Sequence, residues 1–300
     1  MLRTLKNLFA VALIGILFSS CISNDDNGKN EVITQQTFGQ YIAMITNTTT
    51  GESSSLTNIG ITLYLNYTTS KADLEITGLK VGANTYPTIK LENITWKSEK
   101  SGFLDMEASV LNPNANGILI PQVTNLDGKL VERLIDSLKG SSNPNGYWPT
   151  LTVRFTMDGV YSVLLASSLQ IFEGNLVSTS ESGAKFTTTS PVYTATIDVE
   201  KRILGIRMNS VQFVQGMPAM DIDIPAVPFT VSGSDLVINS ESIIPSIGDT
   251  PFPAYTLTNL KGEIELEDGL ELEFVCNPPK LGAFTVEIDA PFDAKTTTGN

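Results

Sequence analysis

The chain has 300 residues, 41% of them hydrophobic and 17% charged, values of a cored globular protein rather than a disordered, collagen-like or coiled-coil one. Nineteen basic residues against 32 acidic ones give a net charge of −13, and an acidic body repels phosphate backbones, which argues against a nucleic-acid partner. Histidine is absent, so the commonest general base and transition-metal ligand are missing, which disfavours triad hydrolases and zinc sites.

At the N-terminus, Arg3 and Lys6 precede an apolar run from Leu8 to Phe18, followed by Ser19, Ser20 and Cys21. Charge, apolar core and small residues in that order make a secretory signal. The core is about eleven residues long, short of the roughly twenty that span a bilayer. A cysteine directly after small residues forms a lipobox, Phe18-Ser19-Ser20-Cys21. The expectation is a lipoprotein signal over 1–20, acylation of Cys21, and a flexible acidic tether over 21–33. Acyl chains bury about 0.8 kcal/mol per CH2, so several on one cysteine hold a protein durably at a membrane. The lipobox followed by Ser23-Asn24-Asp25-Asp26 resembles lipoproteins of Bacteroidetes-type bacteria. That resemblance implies a lipid-anchored protein of the outer membrane, facing the cell exterior. The mature chain keeps one unmodified cysteine, Cys276, and so forms no internal disulfide.

Beyond the tether the dominant signal is alternation of period two. Ile61-Thr62-Leu63-Tyr64-Leu65, Leu151-Thr152-Val153-Arg154-Phe155, Leu270-Glu271-Leu272-Glu273-Phe274 and Phe284-Thr285-Val286-Glu287-Ile288 each put apolar groups on one face, as half-buried antiparallel strands do. Breakers such as Asn112-Pro113-Asn114 and Asn277-Pro278-Pro279 separate them, the pattern of a sandwich or barrel. Val131 to Lys139, with Leu130, Leu134, Ile135 and Leu138 at helical spacing, predicts one short helix.

The two halves repeat each other at a shift of about 132 residues. Thr124-Asn125-Leu126 followed by Gly128 matches Thr258-Asn259-Leu260 followed by Gly262. Tyr86-Pro87 matches Met217-Pro218, Trp96 falls near Phe229, and the strand Leu151–Phe155 matches Leu270–Phe274. The first copy carries an extra loop, 132–148. The fold class expected is therefore all-β, as two tandem antiparallel β-barrel or sandwich domains at 34–168 and 169–292, with a frayed tail at 293–300. The second-copy pattern Phe213-x-x-x-Met217-Pro218, then Asp221-Ile222-Asp223-Ile224-Pro225, Ile243-Ile244-Pro245 and Tyr255 through Thr258-Asn259-Leu260, resembles the calycin-like β-barrel lipoproteins of Bacteroidetes. The resemblance implies an up-and-down barrel able to enclose a small apolar ligand.

Motifs for chemistry are scarce. The chain has no Gly-x-Ser-x-Gly elbow, phosphate loop or His-Glu-x-x-His. Without histidine, Cys276 reads as a buried inert thiol. Asp221 and Asp223, and Glu263, Glu265 and Glu267, alternate along strands and read as solvated faces rather than as a carboxylate pair for glycoside hydrolysis. No catalytic, metal or cofactor site is assigned. The binding candidates are aromatic rings in proline-bounded turns, Tyr147 and Trp148 beside Pro149, and Phe252 and Tyr255 around Pro253, with Met217 and Met220 as adaptable apolar groups. The functional expectation is a non-catalytic lipoprotein that binds a small apolar ligand. The competing expectation is an adhesion or structural lipoprotein that takes a glycan or protein partner on loops and sheet edges.

Overall fold

A computed structural model of the chain describes residues 19–24, 30–37, 41–100, 103–113, 120–134, 147–232, 235–248, 250–266 and 268–291. Two antiparallel sheets account for almost all of them. The first contains β1 (Ser19–Asn24), β2 (Asn30–Thr37), β3 (Tyr41–Asn47), β4 (Ser53–Asn66), β5 (Lys71–Val81), β6 (Asn84–Lys100), β7 (Phe103–Leu111), β8 (Val123–Leu134), β9 (Tyr147–Met157) and β10 (Tyr161–Ser167). Each strand from β3 to β10 pairs with the next, and β10 pairs back onto β3. The result is a closed eight-stranded barrel.

Alternation builds it. Along β5, Ala72, Leu74 and Ile76 point inward and are buried, while Asp73 between them is exposed. Hairpin turns are set by asparagines: the Asn47 side chain accepts from the Thr49 and Thr50 amides, and that of Asn66 from Thr68 and Thr69, as Asx turns do.

The second sheet holds β11 (Leu169–Glu173), β12 (Asn175–Ser180), β13 (Lys185–Thr188), β14 (Val192–Asp198), β15 (Ile203–Val211), β16 (Met220–Ser232), β17 (Asp235–Ile243), β18 (Ser246–Ile247), β19 (Thr250–Pro251), β20 (Leu257–Glu265), β21 (Gly269–Cys276) and β22 (Phe284–Pro291). β11 pairs with β14, while β12 pairs with both β13 and β22. The sheet therefore curls until its two ends meet on one strand, β11–β12, broken at Gly174. A side chain at Gly174 would overlap the Asp289 carbonyl and the Ala290 backbone, so the close approach of β22 there requires glycine.

The repeated Thr-Asn-Leu segments play the same structural part in each barrel. β8 loses register against β9 between Thr124 and Asp127, and β20 against β21 between Thr258 and Lys261. Asn125 and Asn259 both take a left-handed φ of 52° at these bulges, a conformation asparagine tolerates better than most residues.

Two expectations meet different structure. Val131–Leu134 belongs to β8, with Val131 opposite Thr150 and Leu134 opposite Tyr147, and the remainder of the predicted helix lies outside the described residues. Cross-strand pairing with β7 and β9 overrides a short helical periodicity whose apolar positions also fit a strand buried on both faces. The one helical turn described is a 3-10 turn at Pro253–Tyr255. In the segment read as a tether, β1 pairs with β2, which lies on the edge of β4 opposite Thr62–Asn66. β2 thus runs along β4 ahead of β3, satisfying main-chain groups that a sheet edge leaves open.

The barrels share apolar surface. Ile42 and Met44 on β3, Val131 on β8, and Leu164 and Ala166 on β10 face outward from the first barrel and join the core cluster of the second. The Thr152 hydroxyl donates to the Leu266 carbonyl at 3.1 Å, and Thr57 bonds the Glu200 carboxylate. At the junction, the Gln170 amide donates to the Ser167 carbonyl at 2.7 Å, and both residues are buried.

Candidate functional site

Eight strands leave an interior just wide enough to be filled by side chains, and the first barrel is filled. Tyr41, Ile61, Leu63, Leu74, Ile76, Leu91, Trp96 and Phe155 belong to one interior cluster of 30 residues, none more than 8% exposed. The second barrel interior includes Phe172, Tyr193, Leu236, Leu260, Phe274 and Val286, all buried. A described hollow of about 510 Å³ lies outside, on the outer wall of β6–β8 beside Thr95, Glu107 and Asn125.

Glu200 and Leu266, which contact the first barrel, lie in turns at one end of the second barrel. The opposite end, here called the far end, is formed by the loops 212–219, 244–256 and 277–283 together with the turns 181–184 and 189–191. The structure brings four of the predicted binding residues together there. Met217, Met220 and Tyr255 pack half-buried against the core, and Phe252 rests on Tyr255 with ring centroids 5.0 Å apart. Beneath them Phe213 is buried edge-on to Phe274, at 6.3 Å. Its carbonyl is held by the Ser178 hydroxyl, and the Gln212 side chain holds the Met217 carbonyl. These contacts plug the barrel mouth, so Tyr255, Met217 and Met220 close the core rather than line an open pocket.

What the far end presents outward is the top of that plug. Ile244 and Leu281 are 46% and 49% exposed, and Pro218, Pro251, Pro253 and Ala254 are exposed beside half-exposed Phe252. In these three loops the sequence has two charges, Asp249 and Lys280, and six of the chain's 15 prolines, while the β12–β13 turn beside them adds exposed Glu181 and, at the start of β13, exposed Lys185. Ile244 and Leu281 were not singled out as binding residues, because Ile244 read as part of the Ile243-Ile244-Pro245 pattern and Leu281 is a single aliphatic residue in a loop. The signal that would have found them is the low charge of three loops that the topology gathers at one end.

Tyr147 and Trp148 start β9, on the other barrel, opposite Leu134 and Arg133; their side chains lie outside the described residues. Cys21 sits in β1 opposite Ile33, and its side chain is likewise outside them.

The acidic strands are tied up in surface ion pairs or in mutual repulsion. Arg207 bonds Asp221 at 3.0 Å and Asp223 at 3.3 Å, and Asp221 also accepts the Ser210 amide. Partial burial, reinforced by Asp268, Glu263 and Asp235, raises the Glu265 carboxyl above its ordinary value. Burial pushes the Cys276 thiol up to about 12, and its sulfur faces the Tyr255 carbonyl at 3.9 Å. A thiol so placed is neither a nucleophile nor a metal ligand at neutral pH.

No protein-family model matches the chain, and no curated protein matches it. Among solved structures it is similar to transferrin binding protein B, a vaccine antigen of Haemophilus parasuis Hp5, in a single-mutant and a double-mutant form. The first aligns at 8% identity and a TM-score of 0.24, covering 88% of this chain and 76% of the other. The second aligns at the same identity and score, covering 86% and 76%. No helix among the described residues is long and apolar enough to cross a membrane.

Proposed function

We propose that the protein is a non-catalytic lipoprotein, anchored through acylated Cys21 on the outer face of the outer membrane, that binds a protein partner at the far end of its second barrel. The observation that carries this reading is the gathering of Phe252, Ile244, Leu281 and four exposed neighbours at one end of an acidic molecule, where the loop charges are few and of both signs. Contiguous exposed apolar surface on a soluble body marks an interaction site. The filled interiors favour this over the carriage of a small apolar ligand, because such a ligand would have to displace packed side chains. The matching bulges at Asn125 and Asn259 support a tandem duplication.

A photoreactive amino acid placed at position 244 or 281 in cells that make the protein tests the site. Discrete adducts are expected from both, and none from position 110, where Val110 is exposed on the first barrel. Equal labelling at all three, or none at any, would remove the far end as the binding site. Cys21→Ser is expected to release the protein from the membrane fraction.

A further inference from the structure

Resting on the proposal that the far end binds a protein, we infer that its occupant is the far end of a second copy of this chain. Size is the first argument. Its three loops hold 24 described residues that are exposed or half-exposed, within the roughly 20–30 that one side of a stable protein interface uses, whereas a small ligand would leave most of the patch wet.

Charge is the second. Without Arg3 and Lys6 of the signal, two copies each carry 17 basic and 32 acidic residues, a charge of −15, and repel each other on most approaches; the repulsion is least where the charges are few and of both signs, as at the far end. A basic partner would gain nothing at this end and would be drawn to the acidic walls. The face is also self-complementary, as a two-fold contact requires, since apolar surface matches apolar surface. Prolines 218, 251 and 253 flank the exposed side chains, so little conformational freedom is lost on docking.

Position is the third. β1 and β2 lie on the first barrel, while the far end is the end of the second barrel turned away from the first. A pair joined at the far ends therefore leaves β1 and β2 of both copies outside the contact.

A chain beginning at Ser19 with Cys21→Ser keeps every described strand and can be studied by sedimentation equilibrium. A reversible dimer is expected, tightening several-fold as salt rises from about 0.05 to about 0.5 M, because screening weakens repulsion between the acidic bodies. Leu281→Asp and Ile244→Asp place like charges face to face and are expected to weaken the dimer at least about ten-fold. Val110→Asp, the same change on the first barrel, should leave it intact. Unchanged circular dichroism and melting temperature would show the variants folded.

A monomer at every concentration up to about 0.1 mM overturns the inference, as does a dimer that Leu281→Asp spares. If the chain is monomeric and position 281 still yields an adduct with a different protein, self-association falls and partner binding stands. If it is monomeric and no adduct forms, both fall.

Discussion

Tyr193 offers a test in which the sign of the effect decides. It lies on β14 opposite Phe172 with no exposed surface, and its hydroxyl has no hydrogen-bond partner among the described residues. Burial alone drives the phenol well above its ordinary pKa. Tyr193→Phe removes that oxygen and leaves the ring packing in place. A buried hydroxyl without a partner costs about 1–3 kcal/mol of desolvation, so the variant is expected to be more stable by about 1 kcal/mol or more, a rise of roughly 2–6 °C in melting temperature for a domain of this size. Scanning calorimetry and urea unfolding both read it. A fall of similar size would refute the reasoning. It would mean the hydroxyl is satisfied, for instance by a water shared with the Gln170 side-chain oxygen, another buried atom without a partner, on the same face of neighbouring β11.

Other expectations follow from particular residues. A side chain at Gly262 would overlap the Glu271 carbonyl at a φ of 150°, whereas one at Gly128 meets the Met106 and Val153 methyl groups at 3.1 and 3.2 Å and the Thr152 carbonyl at an ordinary 3.4 Å. Gly262→Ala should therefore cost about 3 kcal/mol or more and Gly128→Ala about 1 kcal/mol; equal losses in urea unfolding would contradict this. Cys276 should resist a thiol reagent at pH 8 until the protein unfolds, because it is buried and its thiol is pushed up to about 12; rapid labelling of the native protein would show that the barrel end opens. Glu265 is raised in the folded state, so the native protein binds its proton more tightly than the unfolded chain. The stability this confers is fully present below the ordinary carboxylate pKa and is lost as pH rises through the raised folded value. The melting temperature of the native protein relative to that of Glu265→Gln should accordingly rise as the pH falls toward the ordinary carboxylate range. Identical profiles would remove Glu265 as a source of the change.

Period-two alternation made the strands legible, because each half-buried strand must sort its side chains between core and water. Ile61, Leu63 and Leu65 read correctly as one inward face, and all three are buried. The Thr-Asn-Leu repeat pointed to something structural, and both copies proved to be bulges with a left-handed asparagine. Val131–Leu134 misled, since a strand covered on one face by the barrel core and on the other by the neighbouring barrel has apolar residues on both faces. Val131 belongs to the second barrel's cluster and Leu130 to the first's.

Closure was also out of reach of local patterns. The return of β10 onto β3 and of β22 onto β12 joins residues more than a hundred positions apart. The candidate site was half legible. Phe252, Tyr255, Met217 and Met220 were singled out by residue type, but only the topology shows that they share one barrel end with Ile244 and Leu281. It shows as well that Met217, Met220 and Tyr255 pack partly buried against the core.

Native mass spectrometry of the non-acylated chain, purified gently from a bacterial extract and weighed under native and denaturing conditions, bears most directly on the claim that both barrels are packed solid and bind only at the outside. The account predicts masses of the bare chain or whole multiples of it, with nothing small lost on denaturation. A small molecule retained in the native state and released on unfolding would contradict it and return the protein to the class of ligand carriers.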